Sequence, residues 1–423
     1  MTIIIDGTVG ANKGVVLDSN GKLPAIDGSQ VTALSATQIT TGTVATARLD
    51  TGTTAGKVLV LDGSGNMPAV DGSLMSGIAS ATKSASNPTV STNPATGLGT
   101  KWINTGTGDV YILTDATAGA NVWTNSGAGT GDIEADWYGG TIAGFTSGGH
   151  GGSGANANII EKFTFGSNNN AVDHGDLSGA MYPVTGCSSN TTGYTVKGTS
   201  SATNIDKWNF ASNTTATDQG DLSENRSELT SQSSSTQGFV SGGSPAFDTI
   251  DKFNFASTGN ATDHGNLSVA RGELAAGSSS LTDGYHLGGS TASPYANTNI
   301  IDKFAFASNT TVVDHGDLTV AIAYNAGNSS KTHGFSSGGN AGNINVTGKF
   351  PFASNSGAVD HGDLTVGRHA PCGCSSLTDG HVAAGHDGSY LNVIDKFSFS
   401  STANAADFGD LTVTRNGNAG HQY

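Results

Sequence analysis

The chain has 423 residues and a formal net charge of −16, yet only 12% of its residues are charged and 62 are glycine, about twice the usual glycine share of roughly 7%. That much glycine works against a helical fold, because each glycine inside a helix costs about 1 kcal/mol relative to alanine. The 18 Lys plus Arg are scattered, so no basic stripe exists to displace counterions from nucleic acid. At roughly 150 residues per domain, two or three domains are expected. No apolar run approaches the roughly 18 residues that span a bilayer, and Met1 to Ile5 runs into Asp6-Gly7 without a basic segment, so neither membrane insertion nor a secretory signal is expected. Three cysteines cannot build a disulfide scaffold. Cys372 and Cys374, two apart on one face of a strand, and the distant Cys187 are expected as buried thiols.

In chain order, Val15 to Val31 and Leu59 to Met75 are two copies offset by 44, each with Leu-Asp-x-x-Gly, then Pro24 or Pro68, then Asp27-Gly28-Ser29 or Asp71-Gly72-Ser73. Between them runs Ile39-Thr40-Thr41-Gly42-Thr43-Val44-Ala45-Thr46-Ala47-Arg48-Leu49. Such short β runs hold too little apolar surface to fold alone and gain a core by wrapping round identical chains. Next come Lys101-Trp102-Ile103-Asn104, Gly108 to Asp115 and Asn121-Val122-Trp123-Thr124-Asn125. Turn residues separate these three alternating strands, and the outer two each carry a Trp. A linker of small residues, Ser126 to Thr130, follows.

The wording of residues 1–85 resembles bacteriophage tail fibres and related virion appendages, whose shafts use Gly-x-Leu-Pro-x-x-Asp-Gly-Ser and Thr-Gly-Thr-Val-x-x-x-Arg-Leu elements. The resemblance implies a homotrimeric attachment shaft over 1–85, and a small β meander over 86–130 leading to the tip.

The remainder is repetitive. Asp-x-Gly-(Asp/Asn)-Leu begins at Asp173, Asp218, Asp263, Asp314, Asp360 and Asp407, at intervals of 45, 45, 51, 46 and 47. A period of this size signals a repeat architecture. Each copy follows an alternating strand such as Ile301-Asp302-Lys303-Phe304-Ala305-Phe306, which reads as half-buried. Upstream lies a Gly-aromatic run ending in a Gly pair, such as Gly284-Tyr285 to Gly288-Gly289, with weaker copies at Gly193 to Gly198 and Gly380 to Gly385. Downstream comes a small-residue strand such as Arg271 to Ser280. Four strands per unit, six times over, follow from this order.

This pattern resembles the kelch family of β-propellers, in which a Gly pair ends the second strand and an Arg stands near the start of the innermost one. One departure is that Asp-His-Gly replaces the usual fourth-strand Trp. The expected fold is therefore all-β: a fibrous shaft, a β meander and, over 137–423, a six-bladed kelch-like propeller. Its last segment, from Arg415 to Tyr423, pairs with the earliest strand and so leaves only short protected edges.

His174, His264, His315 and His361 recur in the Asp-x-Gly sign, with Gln219 and Phe408 in the other two copies. Sitting on separate units they are expected to point outward and not to converge on a metal; the sign reads as a turn in which Asp accepts backbone N–H bonds and Gly takes positive φ. No copy has the spaced acidic loop of calcium sites, and no carboxylate pair is singled out for glycoside hydrolysis. No enzyme activity, metal or cofactor is therefore assigned. Variable loops join the second and third strands, and there Phe247, Asp248, Tyr295, His386, Asp387 and Tyr390 offer aromatic faces and hydrogen-bonding groups suited to a sugar. The reading is a tail fibre in the virion, bound to other virion proteins, whose tip holds a host surface receptor, a glycan before a protein, by multivalent attachment. A structural head, neck or tail appendage and a glycan depolymerase are the rivals.

Overall fold

The computed structural model describes residue 19 and residues 81–126, 139–152, 154–198, 203–292, 295–309 and 312–423. The two shaft copies and the segment between them lie outside the described residues, apart from Ser19. The described chain is all-β and separates into two compact units.

In the first unit Lys101–Asn104, Val110–Asp115 and Val122–Asn125 form the antiparallel meander, and Thr82–Ser84 joins it in parallel to Lys101–Asn104. This fourth strand, invisible to alternation because it is three residues long, carries the sheet back into the segment assigned to the shaft. Tyr111, Leu113 and Trp123 are buried, and Trp102 meets Trp123 edge-on at 5.9 Å.

Among its described residues the second unit has six main antiparallel sheets, five of four strands and one, sheet 6, of five because His150–Gly151 adds to its edge, besides a small two-stranded ribbon of Ser290–Thr291 and Ala296–Asn297. Sheets 2 to 6 begin with Val184–Ser188, Thr230–Ser233, Ala276–Ser279, Ala326–Ser329 and Cys372–Ser375, each followed in sequence by its second, third and fourth strands. Sheet 1 is assembled differently. Its second, third and fourth strands are Ala143–Ser147, Ile159–Thr164 and Val172–Asp176, and its first strand is Ala419–Gln422.

A steric lock fixes each sheet. The glycine of the second strand lies beneath the third-strand aromatic: a Cβ on Gly144, Gly193, Gly238, Gly284, Gly334 or Gly380 would run into the ring of Phe163, Trp208, Phe253, Phe304, Phe350 or Phe397. The Gly pair then turns the chain, with φ of +73° and +97° at Gly288 and Gly289, a conformation that L side chains rarely adopt.

Six apolar cores lie between successive sheets. One holds Phe239, Ile250 and Leu267 of sheet 3 against Phe304, Phe306 and Val312 of sheet 4. Another sets Phe163 and Ala171 of sheet 1 against Cys372, Cys374, Ile394 and Phe408 of sheet 6. First strands also adjoin in sequence. The Ser188 N–H donates to Ser233 Oγ (3.0 Å), Ser233 to Ser279 (3.0 Å), Ser279 to Ser329 (2.9 Å) and Ser329 to Ser375 (3.0 Å), and Gln422 N–H donates to Ser188 Oγ (3.2 Å).

Two expectations change. The alternating third strands are not half-buried, because both faces are covered. Asp251, Asp302 and Asp395 are sealed in ion pairs with Arg226 (2.8 Å), Arg271 (2.9 Å) and Arg368 (2.6 Å), and Glu161 pairs with Arg415. Ile322 stands where sheet 5 would have its arginine and Gly348 where it would have its carboxylate, so both charges vanish together. In sheet 2, Met181 takes the arginine position, and Asp206 instead accepts from Ser178 N–H (2.6 Å), Ser178 Oγ (2.8 Å) and Asn204 Nδ2 (2.7 Å).

The Asp-x-Gly signs also form a bulged fourth strand rather than a free turn. Asp173 Oδ1 does accept from Gly175 N–H (3.1 Å). The histidines, however, point inward. His264, His315 and His361 each bond a main-chain carbonyl of the next sheet, Ala305, Pro351 or Ser398, at 2.7–2.8 Å, and His174 reaches Asn209 at 3.1 Å. Gln219 does the same through Nε2 to the Asn254 carbonyl (3.1 Å), and Phe408 fills its copy with an apolar ring. They are inter-sheet clamps, buried because a carbonyl at the end of the neighbouring third strand would otherwise lack a donor.

Candidate functional site

The six first strands line a cavity of about 110 Å³. Its walls are mainly serine, asparagine and glycine, with Val184, Leu229, Leu274 and Pro371 among them, so it is narrow and largely polar. At one mouth, a residue at or two before the start of five of the six first strands is held by main-chain bonds that step from sheet to sheet. Leu274 N–H donates to Glu228 O, Tyr324 to Glu273 O, Ala370 to Tyr324 O, Gly417 to Ala370 O and Val184 to Gly417 O, over 2.7–3.2 Å. The five acceptors share a left-handed backbone, with φ of 55° at Glu228, 68° at Glu273, 56° at Tyr324, 52° at Ala370 and 57° at Gly417. Four of them are not glycine, and such a conformation costs of order 1–3 kcal/mol per residue unless the surroundings enforce it. Here the inter-sheet bonds enforce it.

The same mouth carries a continuous series of six rings. Tyr182 meets His150 at 5.3 Å, His150 stacks on Tyr390 at 5.5 Å, Tyr390 meets His386 at 5.0 Å, His386 meets His369 at 5.1 Å and His369 meets Tyr324 at 6.2 Å. From Tyr324 the hydroxyl donates to Glu228 Oε1 at 3.3 Å. Tyr182 is seated over Gly417, where a Cβ would come 2.5 Å from its ring. All six rings are half-buried, which fixes their planes and leaves an edge or face for a ligand.

Main-chain rungs position these side chains. His369 bridges His386, and His386 bridges Tyr390. His150 pairs with Asn416 on the strand that leads into Ala419–Gln422. Equivalent rungs in sheets 3 and 4 join Ser227 to Ser244 and Gly272 to Ser290. Sheets 1, 3, 4 and 6 thus share this rung, and among the described residues aromatic groups occupy it in sheets 1 and 6.

The electrostatics are acidic. Burial, and secondarily Glu273, raises the Glu228 carboxyl above its ordinary range. Burial and then Glu228 raise the hydroxyls of Tyr182 and Tyr324. Burial and then His386 lower His369, keeping its ring neutral at pH 7. His386 Nδ1 accepts from Gly388 N–H at 3.2 Å, and Asp387 uses Oδ1 to hold Ser389 N–H at 2.9 Å.

Of the sequence-derived residues, His386 and Tyr390 belong to this series and Asp387 shapes their loop. Phe247, Asp248 and Tyr295 are not brought into it. Phe247 and Asp248 are half-buried in the loop of sheet 3, where their carbonyls accept from Arg271 and Leu267 N–H. Tyr295 stands 73% exposed in the loop of sheet 4. Tyr182, His150, His369, Tyr324, Glu228 and Glu273 were missed. The available signal was their place one or two residues after each Arg-equivalent or Gly pair, where the repeats diverge. Among the described residues, no group of three or more His, Cys, Asp or Glu is placed to hold a metal ion.

The chain matches no known family model and no curated protein.

Proposed function

We propose that the chain is a bacteriophage virion appendage, a tail fibre, whose six sheets are the blades of a closed kelch-like β-propeller and whose ringed mouth binds a host surface glycan without turnover. The propeller reading is supported by the inter-sheet cores, by the succession of first strands and by the pairing of Ala419–Gln422 with Ala143–Ser147. Fold alone does not give function. The observation that carries the binding reading is the unbroken contact of six rings at positions where the repeats otherwise differ. Fixed aromatic planes beside a few polar groups are what sugar faces require, since their ordering cost is already met. Residues 1–85 would trimerise and dock on other virion proteins, and three sites on one fibre would then act together.

The test is binding of the full chain to glycans immobilised from host surfaces. Tyr390→Ala and Tyr182→Ala are each expected to weaken binding about tenfold, or about 1.4 kcal/mol, with melting unchanged within a few degrees. Unaltered binding by both variants overturns the site. Release of reducing sugar ends would favour a depolymerase, and the raised Glu228 beside Glu273 is the observation on that side.

A further inference from the structure

We propose that the ringed mouth selects glycans that lack carboxylate, sulfate and phosphate groups; this rests on the mouth being the binding site. Recognition of an acidic sugar calls for an accessible guanidinium or ammonium, arginine above all, because its planar fork matches the oxyanion. Each arginine among the described residues is already committed. Arg226, Arg271, Arg368 and Arg415 are fully buried and paired with Asp251, Asp302, Asp395 and Glu161. Of the six third-strand lysines, Lys162, Lys303, Lys349 and Lys396 lie over the rings of Phe145, Tyr285, Phe335 and Phe408, 5.2–6.0 Å from their centroids, and Lys252 is half-buried. Lys207 bonds Thr258 Oγ1 at 2.7 Å.

The loops and turns of this face contribute carboxylates instead: Glu224, Glu228, Asp248, Glu273 and Asp387. Lys197, at the end of the second strand of sheet 2, is half-buried. An anionic ligand would therefore lose hydration and meet like charge, whereas an uncharged sugar face can lie on Tyr and His rings and donate hydroxyls to Glu228 or Glu273. Like-charge juxtaposition of this kind is how a site rejects a wrong partner without improving its hold on the right one.

The experiment presents the full chain with uncharged hexose and N-acetylhexosamine polymers and with polysialic acid, hyaluronan and teichoic acid, in 50 and 500 mM NaCl. Retention is expected on an uncharged polymer, changing less than about twofold between the two salts because no ion pair is formed. The doubly substituted Glu228→Gln, Glu273→Gln chain is expected to gain at least tenfold in affinity for the polyanions at 50 mM NaCl. Preferential, Tyr390-dependent binding of a polyanion by the unmodified chain overturns the selectivity and leaves the site standing. Binding of no glycan of either kind overturns the site, and the selectivity with it. Polyanion affinity unmoved by the double substitution overturns the electrostatic basis.

Discussion

Replacing Gly186 by alanine probes the seam where the last strand meets the first strand of sheet 2. An added Cβ would come 2.7 Å from the Gly420 carbonyl oxygen and 2.5 Å from Cε1 of His421. Comfortable separations are about 3.5 Å, so one side must retreat by roughly 0.7–1 Å. Neither side is free to do so. Gly420 offers backbone, and His421 is held by Ser147 Oγ at 2.9 Å and by the Cys187 carbonyl at 3.1 Å. Overpacking of this sort costs about 1–3 kcal/mol. At about 2–4 °C per kcal/mol for a large domain, Tm should fall by roughly 2–12 °C. Gly166→Ala is the control, because nothing lies within 4 Å of its added Cβ, and it should melt within about 1 °C of the unmodified chain. Calorimetry gives Tm, and near-ultraviolet dichroism follows Trp208, which meets His421 edge-on at 5.0 Å. A Gly186→Ala chain that melts with the control would refute the tight packing argued for this seam.

His421 itself predicts an acid sensitivity. Burial pushes its imidazole down to about 4 from an ordinary 6.5, so as pH falls below 6.5 the unfolded chain takes up the proton first. The contribution is complete above that pH and lost as pH falls through 4, about 3 kcal/mol in all. In urea titrations at pH 7 and pH 4, the unmodified chain should lose that much more stability than His421→Gln; equal losses would refute the shift. A third prediction concerns the buried ion pairs. Arg271→Ile strands the Asp302 carboxylate and should cost about 3–5 kcal/mol. Adding Asp302→Gly recreates the Ile322 and Gly348 arrangement of sheet 5 and should recover most of the loss in denaturant titrations. A double variant no more stable than the single one would show that the charge left behind is not the cause.

What the sequence disclosed follows from repetition. Six copies of Asp-x-Gly and of the Gly-aromatic run outline four strands per sheet, since only a recurring backbone environment demands the same residues at a fixed interval. Arg271 and its equivalents were visible as the start of the first strands. Their partners were not, because Asp302 sits in an alternating segment where polarity reads as exposure, and only the inter-sheet geometry reveals that both faces are covered. The inward turn of His264 was hidden for the same reason: its acceptor, the Ala305 carbonyl, lies 41 residues away on another sheet. The candidate site was legible for two of its six rings. His386 and Tyr390 share one loop and could be picked together, whereas Tyr182 and His150 become their neighbours through contacts between separate sheets. Phe247 and Tyr295 satisfied the same compositional test and stand elsewhere.

The assembly of sheet 1 has a consequence for biosynthesis. Ala143–Ser147 emerges from the ribosome some 270 residues before its partner Ala419–Gln422. Throughout that interval the edge of Ala143–Ser147 has no partner within the nascent polypeptide, and the Phe163 face of sheet 1 stays open until sheet 6 appears. Sheets 2 to 5 can zip locally as they appear, but the last step is a long-range docking that ordinary contact-order arguments make slow. Truncated translation products would therefore expose a sticky β edge, and the cell would have reason to shield it until Ala419–Gln422 has emerged.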